Sequence, residues 1–256
     1  MLLEGRKAIV TGATSGIGRA TAERLGHEGA SVCVNYYSQK EQEAAECVVA
    51  SIEQAGAHAI AVRGDVSNEE DVKAMVAQAA KEFRGLDLLV NNAGIEKKVP
   101  LLRMSLTDWN AVLTTNLTGS FLCLREVARV MARRRGGVIV NISSVHEFIP
   151  WPGFAHYCAS KGGMKLLMQT AARELAEKKI RVVNVAPGAI VTPINRFVLD
   201  DPEAKHAVEE EIPLGRIGKP DEIAAAVVWV ASEQGSYVTG TTIVVDGGMS
   251  LYPKFV

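Results

Sequence analysis

Short apolar runs recur along the first part of the chain at a regular interval, and that interval limits the folds open to it. KAIVT from Lys7, SVCVNY from Ser31, HAIAVR from His58 and DLLVN from Asp87 lie roughly 25 to 30 residues apart. Between them stand amphipathic segments that read as helices, from about Gly16 to Glu28, Gln39 to Ala55 and Asn68 to Phe83. Strands separated by helices imply a parallel sheet covered on both faces, so the pattern predicts an α/β fold, a doubly wound parallel sheet flanked by helices. Neither a linker nor low-complexity sequence interrupts the series, and 48% hydrophobic content is enough for a large core, so residues 1–256 read as one domain.

In such a sheet ligands sit outside the carboxyl ends of the strands, and the residues at those ends define the candidate site. The first strand runs into Thr11-Gly12-Ala13-Thr14-Ser15-Gly16-Ile17-Gly18. Glycines here permit a tight turn and let a pyrophosphate approach a helix N-terminus, where free N–H groups and the helix dipole favour an anion. The second strand ends in Val34-Asn35-Tyr36-Tyr37-Ser38 with Lys40 following, so no carboxylate is expected there to repel a 2′-phosphate, and NADP is predicted to be accepted, alone or alongside NAD. Gly64-Asp65-Val66 and Asn91-Asn92-Ala93-Gly94 end the third and fourth strands, beside the same crevice. Asp65 is placed to accept a bond from an adenine amine.

A second strip carries chemistry. Val138 to Ile142 reads as a buried strand, Ser143 and Ser144 follow it, and Tyr157 and Lys161 stand four residues apart on one helical face. A free phenol titrates near pH ~10, and an ammonium group beside it favours the phenolate. The pair is therefore a general acid/base, with Ser144 positioned to hold a substrate oxygen. Asn116 falls within a long helical segment, roughly Ser105 to Arg134, where its low helix propensity suggests either a bland exposed position or a kink holding water.

Composition removes several classes. A net charge of -1 gives no reason to expect nucleic acid or an anionic membrane as partner. Cys33, Cys47, Cys123 and Cys158 are scattered, which suggests neither zinc nor a disulfide framework, so no metal is expected. No apolar run reaches the ~20 residues of a membrane span, and the N-terminus carries no secretory signal, so a cytoplasmic location is expected. Arg133, Arg134 and Arg135 read as a solubilising helix end rather than a binding patch.

Taken together, TGATSGIG from Thr11, Asp65, NNAG from Asn91, Asn116, Ser144, YCASK from Tyr157 and APGAIVT from Ala186 resemble the short-chain dehydrogenase/reductase family over essentially the whole chain. The resemblance implies a single Rossmann-like domain, a homotetramer packed through residues 105–134 and 157–178, and hydride transfer between a carbinol or carbonyl carbon and a nicotinamide. It makes Tyr157 the acid/base, with Lys161 lowering its pKa and bonding the nicotinamide ribose. Ser144 would orient the substrate oxygen and Asn116 would hold a relay water. Pro187, Gly188, Ile190 and Thr192 would border the nicotinamide and its phosphates.

Within the family, NYY from Asn35, NNAGIE, SSVHEFIPWPGFAHY, GAIVTPIN, IPLGRIGKP and DGGMSLYPKF are similar to the bacterial glucose 1-dehydrogenases. That similarity implies a small-molecule sugar substrate, oxidised at C1 to a lactone, with Glu96, His146 and Asn195 at the sugar pocket. Group members with a longer C-terminal tail send it towards the active site, so a tail contact is in doubt for a sequence that stops soon after YPKF. Thr192 to Ile212 reads as a helical lid; its six acids against Arg196 and Lys205 leave a charge of -4, which would repel an acidic carrier protein. The competing readings are a 3-oxoacyl-carrier-protein reductase or other secondary-alcohol dehydrogenase with the same catalytic set, and a dinucleotide-sensing protein that performs no chemistry.

Overall fold

The structure is a computed structural model and describes residues 1–195 and 199–251. Seven parallel strands form one sheet: β1 (Lys7–Val10), β2 (Ser31–Tyr36), β3 (Ala59–Arg63), β4 (Leu88–Asn91), β5 (Gly137–Ile142), β6 (Ile180–Pro187) and β7 (Thr242–Val245). Their spatial order is β3-β2-β1-β4-β5-β6-β7, so the order reverses between β1 and β4, and the crevice above that reversal is the expected ligand position.

Strand alternation sends successive side chains into two cores. Ala8 and Val10 of β1, Leu88 and Val90 of β4, and Val138, Val140 and Ile142 of β5 face one core. Helices α1 (Gly16–His27), α2 (Gln42–Gln54) and α8 (Pro220–Ala231) cover it with Leu25, Val48, Ile52 and Val227. Ile9, Leu89, Ile139 and Val182 face the other, under α3 (Glu69–Glu82), α5 (Gly119–Met131) and α6 (Ala155–Leu175), which supply Met75, Val127 and Met168. A strand buried on both faces must be apolar at nearly every position, which is why these segments read as continuous runs.

Helix starts are set by local chemistry. Asn68 caps α3 by accepting from the N–H groups of Glu70 and Asp71, and Glu69, Glu70 and Asp71 complement the dipole. Where the sequence suggests one helix over residues 105–134, the chain forms α4 (Leu106–Leu113), a π-helical turn over Thr114–Thr118, and α5. The extra residue of that turn swings Asn116 inward, so Asn116 is fully buried rather than exposed.

Of the segment expected to cover the pocket, Pro193–Asn195 forms a short 3-10 turn and α7 runs from Pro202 to Glu211, capped by the Asp201 carboxylate with Pro202 in its first turn. Arg196 and the residues after Leu251, with the tail contact considered for them, lie outside the described residues.

Candidate active site

The turns after β1, β3, β4, β5 and β6 surround one cleft of about 1290 Å³. One end of it is built on the start of α6. Tyr157 and Lys161 lie one turn apart, with the Lys161 Nζ 5.5 Å from the Tyr157 ring centroid. Lys161 is 5% exposed, and its Nζ donates to the Ile142 carbonyl at 2.8 Å, where β5 ends. Ser144, two residues on, caps a short turn by accepting from the His146 N–H at 3.2 Å, and its hydroxyl hydrogen-bonds to Tyr157.

Asn116 does not line the cleft; it lies behind it. Its Oδ1 accepts from the Ile95 N–H at 2.8 Å and its Nδ2 donates to the Ile95 carbonyl at 2.9 Å, so it anchors the loop that carries Glu96.

The electrostatics run differently from the simple pairing of a phenol with an ammonium. Burial, then the Glu96 carboxylate, push the Tyr157 hydroxyl above its ordinary value, opposed by the Ser144 hydrogen bond. Burial lowers Lys161 to about 8, opposed by Glu147 and Glu96. Burial of the phenol itself and the Glu96 carboxylate therefore outweigh what favours the phenolate, and near neutral pH the phenol keeps its proton.

At the other end, the first turn of α1 holds no acidic side chain and Ser15 makes no capping bond, leaving N–H groups and a hydroxyl facing the cleft. Gly12 and Gly16 adopt φ of +60° and +53°. Gly18 does not line the cleft; a Cβ there would collide with the Gly12 carbonyl and Asn92 Nδ2, so its role is close packing beneath the loop. Two asparagines are used as staples. Asn35 accepts from the Gly12 N–H at 3.2 Å and donates to the Gly64 carbonyl at 3.0 Å, and Asn92 Nδ2 donates to the carbonyls of Thr11 and Gly12. Ser15, Ile17, Asp65, Val66, Ala93, Gly94, Pro187, Gly188, Ile190 and Thr192 all line the cleft.

Two positions correct the reading of the second strand. Tyr36 is buried in the core, and Tyr37 is the tyrosine that borders the cleft. A carboxylate does stand there: Glu41, on a short turn after β2, lines the cleft and accepts from the Tyr37 N–H at 2.9 Å. It stands on the turn Gln39–Glu41, beyond Lys40, rather than at the strand end where such a carboxylate is expected. A glycine cradle at a helix N-terminus, with a carboxylate after the second strand, fits a dinucleotide.

Between the two ends Glu96, His146 and Asn195 converge on the cleft with Ser144. Glu96 Oε1 is buried with no hydrogen-bond partner among the described residues, and burial raises its carboxyl to about 7, opposed by Lys161. His146 Nδ1 lies 3.2 Å from the Ile149 carbonyl and so carries the proton, while burial lowers the ring's pKa and leaves Nε2 an acceptor. The ring stacks on Trp151 at 4.4 Å, and Trp151 stacks in turn on Phe154 at 3.7 Å. Nothing in spacing singled out Trp151; its only sequence signal is its place in the IPWP run.

A Rossmann-like sheet with this cleft and a Ser–Tyr–Lys cluster defines a nicotinamide-dependent oxidoreductase. The family model described as enoyl-(acyl carrier protein) reductase matches residues 12–250. The 3beta-hydroxysteroid dehydrogenase 1 of Eggerthella lenta is 50% identical over 254 residues, covering 99% of this chain and 97% of that protein. The glucose 1-dehydrogenase of Gluconobacter oxydans is 45% identical, over 98% of this chain and 94% of that protein. The crystal structure of a gluconate 5-dehydrogenase from Burkholderia cenocepacia J2315, in complex with NADP and tartrate, superposes with a TM-score of 0.93 at 33% identity, covering 98% and 97% of the two chains. The chain belongs to the short-chain dehydrogenase/reductase family, as the motifs from Thr11 to Ala186 imply.

Proposed function

We propose that this chain oxidises C1 of a cyclic aldose, D-glucose foremost, to the lactone, with NADP or NAD as cofactor. The observation that carries the reading is Glu96: a half-neutral carboxyl facing the cleft with an unpartnered oxygen suits a substrate rich in hydroxyl donors. An apolar ring offers no bond to that oxygen. His146 Nε2 and Asn195 add directed polar contacts at the cleft, which Trp151, stacked on both faces, borders with its edge.

In this reading Ser144 holds the anomeric oxygen while Tyr157 accepts its proton, and Lys161 orients the nicotinamide ribose and favours the phenolate. Asn116 anchors the Glu96 loop and the inner end of a water relay. When bound, the oxidised nicotinamide would supply the hydride acceptor and, until it is reduced, a positive charge beside the phenol. Gly12, Ser15, Gly16, Ile17, Asp65 and Thr192 hold the dinucleotide, over the tight packing at Gly18.

The segment around α7 acts as a lid over the substrate end, supported by Leu199, Val208 and Glu211 at the cleft. A homotetramer in the cytoplasm completes the proposal. Leu106, Phe121 and Leu166, exposed on α4, α5 and α6, suit subunit packing, which sedimentation analysis would read directly.

An aldose panel assayed with each cofactor tests the function, with Tyr157→Phe as control. D-glucose should drive cofactor reduction, 3-hydroxyacyl thioesters should not, and the variant should lose roughly a hundredfold or more. A second reading rests on the Trp151–Phe154 stack together with the 50% identical steroid dehydrogenase: a secondary alcohol on an apolar fused ring. Turnover of a 3β-hydroxysteroid in preference to every aldose would establish that alternative. Tight cofactor binding with no turnover on any alcohol or ketone would point to a sensor.

A further inference from the structure

A polar rung crosses four strands beneath the catalytic end. Asn91, Asn141, Asn184 and Thr242 are register partners across β4, β5, β6 and β7. The three amides are buried and run in one sense: Asn91 Nδ2 donates to Asn141 Oδ1 at 3.0 Å and Asn141 Nδ2 to Asn184 Oδ1 at 2.9 Å. Asn184 Nδ2 then donates to Glu147 Oε2 at 3.0 Å. Thr242 adds a bond to Glu147 Oε1 at 2.6 Å, and the Ser143 hydroxyl adds another to Oε2.

At its far end Asn91 also donates to the Ser120 carbonyl, and the Ser120 hydroxyl bonds the Asn116 carbonyl. The rung thus joins the Asn116 turn to a single carboxylate. Burying three amides in a sheet is costly unless every group is paired, and here the pairing ends on Glu147.

We propose that Glu147 is a positioning residue, a counter-charge held by this rung at the strand end where Lys161 is anchored, which keeps the buried Lys161 an ammonium. Both groups hang on the same strand end, Lys161 through the Ile142 carbonyl and Glu147 through Ser143. Among the described residues, the charges acting on Lys161 are Glu147 and Glu96, with Tyr157 one turn earlier on α6. Lys165, one turn later, lies over the Phe148 ring. Glu96 carries a raised pKa and faces the substrate, so its charge changes with pH and with occupancy. Glu147 is tied on both oxygens by residues of the sheet and the turn, so its place is set by the fold.

The inference is independent of the substrate, and its test reads Lys161 directly. The full chain carrying lysine labelled with 13C at Cε is titrated by NMR with and without NADP, and the Lys161 signal is assigned by its loss in Lys161→Arg. Glu147→Gln should lower the Lys161 midpoint by about one pH unit in both states. The alkaline limb of the turnover profile should move down with it, while Glu147→Asp restores most of the shift. An unchanged midpoint in folded Glu147→Gln, or the same shift in Glu147→Asp, overturns the proposal. Should Glu147→Gln fail to fold by circular dichroism, Thr242→Val frees one carboxylate oxygen and leaves the charge. It should give a smaller shift of the same sign, and no shift overturns the proposal.

Discussion

Asn116 and Ile95 pair through two hydrogen bonds of opposite sense, the carboxamide reading the main chain of the loop as a neighbouring strand would. Asn116→Ala leaves the Ile95 N–H and carbonyl without those partners. Each such loss costs about 1 to 3 kcal/mol, so the variant should lose about 2 to 6 kcal/mol in urea unfolding. Asn116→Asp keeps the acceptor but buries a carboxylate oxygen against the Ile95 carbonyl, so near neutral pH it should lose at least as much as Asn116→Ala. A wild-type midpoint for Asn116→Ala would show that the pairing carries no stability.

Glu96 makes stability depend on pH in a defined direction. Its carboxyl titrates at about 7 in the folded chain against an ordinary 4.5, so between those values the folded state holds a proton that the unfolded state releases. Stability therefore falls as pH rises through that window and is level above it. Glu96→Gln removes the penalty and should gain roughly 1 to 3 kcal/mol above pH ~7, with little change below pH ~4.5. Parallel unfolding curves for the two proteins from acid to neutral pH would contradict this. The same variant should raise the KM for an aldose more than it lowers kcat, because a contact made alike in ground and transition states is lost.

The parts of this molecule that follow from local periodicity could be read before the fold was known, and those that follow from register could not. Tyr157 and Lys161 share a helix face at fixed spacing, and the apolar runs of β1 to β5 announce a buried parallel sheet. Tyr36 and Tyr37 differ by one position, and which of them faces the crevice depends on strand phase at the very end of β2, where alternation no longer constrains it. Asn91, Asn141 and Asn184 each close or interrupt an apolar strand, a visible oddity. That they align became evident only from the pairing across β4, β5 and β6. The bend at Asn116 was suggested by propensity, whereas its π-helical form depends on the loop it holds.

Gly18 is a packing position and its requirement is steric. A methyl group there would meet the Gly12 carbonyl and the Asn92 amide, both of which are backbone or fixed by the loop. Gly18→Ala should open the turn between β1 and α1 and weaken NAD and NADP alike, by about tenfold or more, with a lower melting temperature. Binding isotherms measured by fluorescence for both cofactors decide the point. A variant that discriminated between NAD and NADP would show that the residue senses the ribose instead.

Glu41 is the group that bears on that discrimination. It lines the cleft after β2 and is held by the Tyr37 N–H, so a 2′-phosphate entering there meets a carboxylate, whereas a 2′-hydroxyl meets an acceptor. Glu41→Gln keeps the shape and removes the charge. Loss of one repulsion of about 1.4 kcal/mol corresponds to a factor of ten, so kcat/KM with NADP should rise about tenfold relative to NAD. Because the screening length shortens with salt, the wild-type kcat/KM with NADP relative to NAD should also rise as ionic strength increases, and the variant's should not. Steady-state kinetics with both cofactors at two salt concentrations checks both statements. A Glu41→Gln enzyme with the parental ratio at both would place the 2′ position away from Glu41, towards Lys40 and Ser38.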